Sequence, residues 1–119
     1  MFILGRFLRN TKATITYPFW LLLGKPAPDN HVYKKRRVRS IGALFSCETF
    51  IETGTFYGQM TNAMKDHFYK VLSVELFEAL YHFNKSSISE YPHVRIYLGD
   101  SSSRLQDMLH DAGGRILFW

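Results

Sequence analysis

The sequence lacks the features that stabilise most secreted, metal-bound and membrane-spanning proteins. Cys47 is the only cysteine, which excludes an intrachain disulfide and a cysteine-rich zinc site. No stretch approaches the roughly 20 consecutive apolar residues that a transmembrane helix needs. No His-x-x-x-His pair or other tight ligand spacing occurs among the five histidines, which are His31, His67, His82, His93 and His110. We therefore expect a reducing, cytoplasmic location and no metal site.

The N-terminal segment leaves three interpretations open. Arg6, Arg9 and Lys12 precede an uncharged stretch from Ala13 to Gly24. Secretory signal peptides also combine a basic start with a short apolar run, but Pro18 interrupts this run and no small-x-small cleavage pattern follows it. A segment that touches a membrane surface is the second alternative. The favoured hypothesis is an arm that packs its aromatic side chains against the domain.

The net positive charge of the chain comes from one short run of basic residues. The chain has 15 basic and 10 acidic residues, a net charge of +5. Five of the basic residues form one run, which consists of Lys34, Lys35, Arg36, Arg37 and Arg39. The remaining charges balance, so the basic character is local and does not describe a nucleic-acid-binding surface spread over the protein. Such a run is most often a solvated helix face.

Length and composition indicate one globular domain. Apolar residues make up 46% and aromatic residues 16% of the 119 positions, enough for a hydrophobic core. The turn-forming cluster Lys25-Pro26-Ala27-Pro28-Asp29-Asn30 separates two regions. We expect an arm and linker over residues 1–30 and the domain proper over residues 31–119.

Hydrophobic periodicity predicts alternating helices and strands in the domain. Apolar residues at helical spacing indicate a helix from Tyr33 to Phe45, and later helices with apolar stripes Met60-Ala63-Met64-Phe68, Leu76-Ala79-Leu80-Phe83 and Leu105-Met108-Leu109-Ala112. Short β-prone runs indicate strands at Thr49–Ile51, Tyr69–Leu76, Val94–Leu98 and Ile116–Trp119. The polar segment Asn84–His93 is predicted as a loop, and Ser103 with Gln106 as a capping box. This order predicts a Rossmann-like α/β sandwich of three layers: a parallel sheet of about four strands with helices on both faces.

Ligands of such sheets bind beyond the carboxyl ends of the strands, so the residues that follow each strand are the candidate site. Gly54 and Gly58 allow the turn after the first strand to bend sharply and approach a ligand. Glu75, at the end of the second strand, is placed to accept the two hydroxyls of a ribose. Asp100, after the third strand, is placed to accept from the amine of an adenine.

The first turn distinguishes two nucleoside cofactors. A dinucleotide site requires Gly-x-Gly-x-x-Gly, whereas this turn has Phe56 and Tyr57 where a pyrophosphate would need small residues. Glu52, at the strand end, would repel a pyrophosphate but suits a cationic ligand with an amino group. S-adenosylmethionine is such a ligand.

Three motifs resemble the class I S-adenosylmethionine-dependent methyltransferases. They are Glu52-Thr53-Gly54-Thr55-Phe56-Tyr57-Gly58, Val74-Glu75-Leu76 and Leu98-Gly99-Asp100-Ser101. The resemblance covers about residues 31–119 and is nearest to members with a Glu-x-Gly-Thr-x-x-Gly turn. Phe56 replaces the middle glycine of the commoner Glu-x-Gly-x-Gly-x-Gly form.

The resemblance implies a role for each motif residue. Glu52 would hold the methionine end of the cofactor, while Gly54, Thr55 and Gly58 would line it through their backbone. Glu75 would bind the ribose, and Asp100 with Ser101 would face the adenine. Each residue also has a plainer explanation: Glu52 and Glu75 as solvated strand-end acids, the glycines as turn formers, and Asp100 with Ser101 as a helix cap.

The sequence therefore predicts an S-adenosylmethionine-dependent methyltransferase, or its cofactor-binding part, with an unidentified methyl acceptor. Family members use about seven strands, so the apolar pair Phe118-Trp119 in a fourth strand leads us to expect a truncated domain. No residue stands out as catalytic. One alternative is a non-catalytic module that binds nucleic acid or an anionic surface through Lys34 to Arg39. Another is a non-catalytic remnant that associates through an open sheet edge.

Overall fold

The computed structural model describes all residues from 1 to 119. The chain has five helices and four strands; after an initial pair of helices, the four strands alternate with the other three helices. In chain order they are α1 (Phe2–Leu22), α2 (His31–Leu44), β1 (Thr49–Thr53), α3 (Gln59–Met64), β2 (Lys70–Glu75), α4 (Glu78–Ser87), β3 (Val94–Leu98), α5 (Ser101–Asp111) and β4 (Ile116–Phe118). The predicted order of helices and strands over residues 31–119 is confirmed.

The four strands form one sheet in the order β3-β2-β1-β4, and all neighbours are parallel. The chain moves outward from β1 through β2 to β3 and then crosses to the other side of β1 to form β4. The strand order therefore reverses between β1 and β4. In open α/β sheets this reversal opens a crevice at the carboxyl ends of the two strands.

Side chains that alternate along the strands divide the core between the two faces of the sheet. On one face α2, α3 and α4 cover a cluster of Val38, Phe50, Met60, Met64, Phe68, Val71, Ile88, Val94, Ile96 and Leu117. On the other face α5 covers Ile51, Leu72, Val74, Tyr97 and Met108. Helices thus lie on both faces, which confirms the predicted three-layer α/β sandwich.

The N-terminal segment is a 21-residue helix that packs on the domain through one face. Phe2 contacts the rings of Tyr57 and Phe83, with ring centroids 6.2 and 5.4 Å apart. Farther along, Trp20 is buried against Tyr33 at 5.0 Å. The predicted packing therefore holds for Phe2 and Trp20, whereas Phe7 and Phe19 are exposed. The opposite face of α1 exposes the apolar residues Ile3, Leu4, Phe7, Leu8, Ile15 and Phe19. None of the helices combines the length and the apolar character that crossing a membrane requires.

Two details of the predicted elements after β2 are wrong. The segment predicted as a loop from Asn84 begins as helix, because α4 continues to Ser87. Asn84 is fully buried, and its amide group donates to the carbonyl oxygens of Leu80 at 2.9 Å and Phe56 at 2.6 Å. The polarity of Asn84 therefore serves an internal contact. Leu76, predicted in the apolar stripe of α4, precedes the helix and is exposed.

The predicted capping box of the last helix is also wrong. Asp100 is the N-cap of α5, and its carboxylate accepts from the backbone N–H groups of Ser102 at 2.9 Å and Ser103 at 3.2 Å. Ser103 therefore lies inside the first turn. An aspartate at this position satisfies two otherwise free amides, so the helix begins three residues earlier than a Ser103 cap would allow.

Candidate functional site

A small cavity lies where the strand order reverses. It has a volume of about 190 Å³, and Glu52, Gly54, Thr55 and Trp119 are among its lining residues. Glu52 lies near the end of β1, and Trp119 follows β4, the neighbouring strand. The position is the one that binds ligands in sheets of this topology. The cavity therefore brings together three of the residues that the sequence motifs single out.

Glu52 is a buried acid with one oxygen left for a ligand. The residue is 7% exposed, and its Oε2 atom accepts from Thr61 Oγ1 at 2.7 Å and from Ser73 Oγ at 3.2 Å. The Oε1 atom accepts no hydrogen bond from the chain. Burial raises the pKa of Glu52 to about 7, against the opposing effect of the two hydroxyl donors, and the nearby Glu75 raises it slightly. Near neutral pH this carboxyl can therefore gain or lose a proton when a charged group arrives.

Glu75 has the same burial but a different environment. Its Oε2 accepts from the backbone N–H of Phe56 at 2.7 Å, and its Oε1 accepts from the N–H of Phe77 at 2.9 Å. One carboxylate thus connects the turn after β1 to the start of α4. Each oxygen keeps a second acceptor position, so binding of hydroxyl groups remains chemically available. The plain description of Glu75 as a solvated acid does not fit its 7% exposure.

The turn residues differ in what they face. Gly54 has a φ of +95° and open space where a side chain would lie, and it lines the cavity. The N–H groups of Gly54 and Thr55 both donate to Val74 O at 3.0 Å, so these two amides are occupied by the chain itself. Gly58 is buried, and a Cβ there would lie 2.3 Å from Asn84 Oδ1. Gly58 therefore permits close packing of α4 on the turn, and its contact with a cofactor stays a prediction.

The predicted adenine-facing pair lies at the exposed start of α5. The carboxylate of Asp100 also accepts from Ser102 Oγ at 2.8 Å, and its hydrogen bonds with Ser102 and Ser103 lower its pKa to about 2. It is therefore an anion at all ordinary pH values. Ser101 is exposed as the first residue of the helix. The capping role is visible in the geometry, and the adenine role stays a prediction.

Thr61 and Ser73 are site residues that the sequence motifs do not identify. Ser73 Oγ donates to Glu52, so the 2.6 Å contact between Thr55 and Ser73 must have Thr55 as its donor. Thr55, Ser73 and Thr61 thus form a fully buried hydroxyl network around one carboxyl group. A serine within the apolar run of β2 is the sequence signal for this network, because buried polar groups require partners.

Helix α1 supplies further contacts that no local sequence signal predicts. Arg6 Nε donates to Tyr57 O at 2.6 Å, and Arg6 Nη2 donates to Asn84 Oδ1 at 2.9 Å. Arg9 Nε donates to Gln59 Oε1 at 3.0 Å, and its guanidinium lies 4.9 Å from the Phe56 ring centroid. The two arginines hold α1 over the turn that follows β1. These pairs are about 50 or more positions apart, so only the tertiary structure brings them together.

The basic run on α2 is not a uniform solvent-facing patch. Lys35 Nζ donates to Asn10 Oδ1 at 3.0 Å, Arg36 to Tyr17 Oη at 3.3 Å, and Arg39 to Ala63 O at 3.1 Å. Lys34 lines the cavity at Glu52. Of the five basic residues, only Arg37 is exposed without a hydrogen bond or cavity contact. Most residues of the run therefore contact other parts of the chain or line the cavity.

A larger cavity lies elsewhere, between β3 and α5. It measures about 700 Å³ and contains none of the predicted site residues. Arg95 and Asp111 form an ion pair of 2.6 Å at its edge, and both lie away from the strand ends. Topology and chemistry together favour the smaller cavity at Glu52 as the candidate site.

Solved structures that the chain resembles include O-methyltransferases with S-adenosylhomocysteine or S-adenosylmethionine bound. An O-methyltransferase from Bacillus cereus, in complex with S-adenosylhomocysteine, matches 92% of the chain with a TM-score of 0.61 and 15% identity, over 54% of its own length. The O-methyltransferase TomG from Streptomyces achromogenes, in complex with S-adenosylmethionine, matches 92% of the chain with a TM-score of 0.60 and 14% identity, over 52% of its length.

The chain spans about half the length of the solved proteins that it matches. No protein-family model and no curated protein matches its sequence. At this level of identity the likeness concerns the fold, and that likeness agrees with the all-parallel sheet and the site at its strand reversal. The chain therefore shares its fold with about half of each of these solved O-methyltransferases.

Proposed function

We propose that this chain is the cofactor-binding part of an S-adenosylmethionine-dependent methyltransferase. The observation that carries the proposal is the buried carboxyl of Glu52, which has one unoccupied oxygen and faces a cavity at the strand reversal. A fold by itself does not define an activity, so the proposal depends on this site and on its chemistry.

The cavity at Glu52 suits the amino-acid end of the cofactor because it presents charges of both signs. Glu52 lines it together with Arg9 and Lys34. The methionine moiety carries an ammonium and a carboxylate on one carbon. The ammonium would pair with Glu52, and its positive charge would favour the ionised form of a carboxyl whose pKa is about 7. The carboxylate would lie toward the cationic side of the cavity.

The other two strand ends supply acceptors for the nucleoside. Glu75 retains lone pairs for ribose hydroxyls while it holds Phe56 and Phe77. Asp100 is an exposed anion after the neighbouring strand β3. These are the positions that the motif resemblance assigns to ribose and adenine. The order Glu52, Glu75, Asp100 across β1, β2 and β3 is compatible with one extended ligand.

When bound, S-adenosylmethionine supplies an electrophilic methyl group on a sulfonium. The residues of this chain would bind and orient that cofactor, with Glu52 compensating the positive charge of its amino group. The matched solved proteins are O-methyltransferases, so we infer that the acceptor atom is an oxygen. Transfer forms a carbon–oxygen bond as the carbon–sulfur bond breaks, and the acceptor proton passes to a base that no residue of this chain identifies.

Calorimetric titration with S-adenosylhomocysteine tests the proposal, because this product binds without reacting. We expect saturable binding that Glu52→Gln weakens by about tenfold or more, the effect of losing a charge-assisted hydrogen bond. Glu90→Gln is the matched control, since Glu90 is exposed in the loop before β3. Binding that is absent from the folded chain, or that Glu52→Gln leaves unchanged, contradicts the proposed site.

A further inference from the structure

A second cavity adjoins the Glu52 site and lies between α1 and the start of α2. Its volume is about 460 Å³, within the range of roughly 300 to 1,000 Å³ that small-molecule sites occupy. Arg9, His31 and Lys34 line both this cavity and the one at Glu52. A ligand in the second cavity would therefore be a direct neighbour of one in the first. We refer to this second cavity as the α1–α2 cleft.

The charges of the α1–α2 cleft are mainly positive. Arg9, Lys12 and Lys34 line it, and Asp29 is the one acidic group, which leaves two net positive charges. Arg9 is held in place by Gln59 and His31, both at 3.0 Å, so its remaining N–H groups are fixed in position. Three cations around a concave surface favour an anionic ligand.

His31 lines both cavities and lies at their junction. The Arg9 guanidinium can only donate, so His31 Nε2 accepts and the neutral ring carries its proton on Nδ1. That Nδ1 atom is buried and has no partner within the chain. Burial and the nearby cations Arg9, Lys34 and Lys35 lower the pKa of His31, which keeps the ring neutral at pH 7. A neutral His31 leaves the positive charge of the cleft to Arg9, Lys12 and Lys34.

We propose that the α1–α2 cleft binds a phosphate-like anionic group of the methyl acceptor. The assignment to the acceptor rests on the proposed methyltransferase function, whereas the anion site itself does not. Two net positive charges favour a dianion over a single carboxylate, which is why a phosphate group is the inferred class. Asp29, the one acid of the cleft, is available to accept from hydroxyl groups of the same molecule.

Lys12 offers the sharpest test because it lines the cleft but not the cavity at Glu52. Inorganic phosphate is titrated into the full chain at constant ionic strength, and binding is followed by the amide shifts of residues 9–16 and 29–34 in NMR spectra. We expect saturable binding that Lys12→Gln weakens about fivefold and Lys12→Glu weakens further, each loss being the contribution of one close charge. Arg37→Gln and Arg37→Glu are the matched controls and should leave phosphate binding unchanged.

Acetate and S-adenosylhomocysteine complete the experiment. Acetate that binds as tightly as phosphate overturns the phosphate class, and equal effects of the Lys12 and Arg37 variants overturn the cleft as a specific site. Lys12→Gln should leave S-adenosylhomocysteine binding unchanged, and a parallel loss would assign these cations to the cofactor instead. A folded chain that binds phosphate but not S-adenosylhomocysteine retains the anion site and contradicts the methyltransferase proposal. A folded chain that binds S-adenosylhomocysteine but not phosphate contradicts the anion site and leaves the methyltransferase proposal intact.

Discussion

The ends of β1 and β2 place two glutamates at equal depth but in different environments. Glu52 and Glu75 are each 7% exposed. Only one oxygen of Glu52 accepts hydrogen bonds, both from hydroxyl groups, and burial raises the pKa of this residue to about 7. In Glu75, by contrast, each oxygen accepts from a backbone amide. Burial alone therefore does not define a carboxylate's role. The comparison suggests that Glu75 supports the architecture of the site and that Glu52 is held ready for a ligand.

The largest expected effect is on stability and concerns Glu75. Glu75→Ala removes the acceptors of the Phe56 and Phe77 amides. Each partly buried amide that is left unpaired costs about 1 to 3 kcal/mol, and the cost is higher where the lost acceptor was charged. We therefore expect the free energy of unfolding to fall by about 4 kcal/mol. Urea denaturation measures the change. A loss below about 1 kcal/mol, similar to that of Glu90→Ala, would show that water replaces the carboxylate and that Glu75 does not support the turn.

Glu52 should show its difference from Glu75 in the pH dependence of stability. Its pKa is about 7 in the folded chain against an ordinary value of 4.5, so between these values the folded state binds more protons than the unfolded state. Stability from this group is therefore lost as the pH rises from about 4.5 to 7 and is constant above that range. The total loss in the free energy of unfolding is about 3 kcal/mol.

The variant Glu52→Gln isolates this contribution, because glutamine does not titrate. From pH 4 to pH 8 the free energy of unfolding of Glu52→Gln should rise by about 3 kcal/mol relative to that of the wild type. Urea midpoints at each pH measure it, with Glu90→Gln as a control for an exposed acid. Parallel pH profiles for wild type and Glu52→Gln would mean that Glu52 titrates normally.

The two glycines of the turn extend the comparison to the backbone. Gly58→Ala places a methyl group 2.3 Å from Asn84 Oδ1 at a φ of +69°, and should cost about 2 to 3 kcal/mol in stability. Gly54→Ala meets nothing within 4 Å, so only the strain of its φ remains, about 1 kcal/mol. Thermal or urea unfolding of both variants gives the difference. Equal losses would mean that α4 can move away from the turn.

The order of elements and the strand ends could be predicted from the sequence, because they depend on local periodicity and on turn residues. Glu52, Glu75 and Asp100 all lie where the strand boundaries place them. The proton affinity of Glu52 could not be predicted, since it depends on burial and on Thr61 and Ser73 from other elements. The prediction of a loop from Asn84 is wrong because the partners of this residue, Phe56 and Arg6, lie far away in sequence.

The N-terminal helix shows the same limit most clearly. Its basic residues could have belonged to a signal peptide, a membrane-facing segment or an arm packed on the domain. The structure places Arg6 and Arg9 on the turn after β1, at contacts that span about 50 or more residues. A local pattern carries no information about such partners. Hence the α1–α2 cleft, which depends on α1 and α2 together, is apparent only from the tertiary structure.

The smallest expected effect concerns Asp100, the third strand end, where one carboxylate has both a visible structural role and a predicted binding role. Serine caps a helix about as well as aspartate, so Asp100→Ser should preserve the start of α5 and leave the melting temperature nearly unchanged. Its shorter side chain would not reach an adenine amine, and affinity for S-adenosylhomocysteine should fall about threefold to tenfold. Calorimetry at pH 7 measures the affinity, with Asp107→Ser, on the exposed side of the same helix, as the control. An unchanged affinity would mean that Asp100 only caps α5. The expected loss would instead support binding of one cofactor by residues at the ends of β1, β2 and β3.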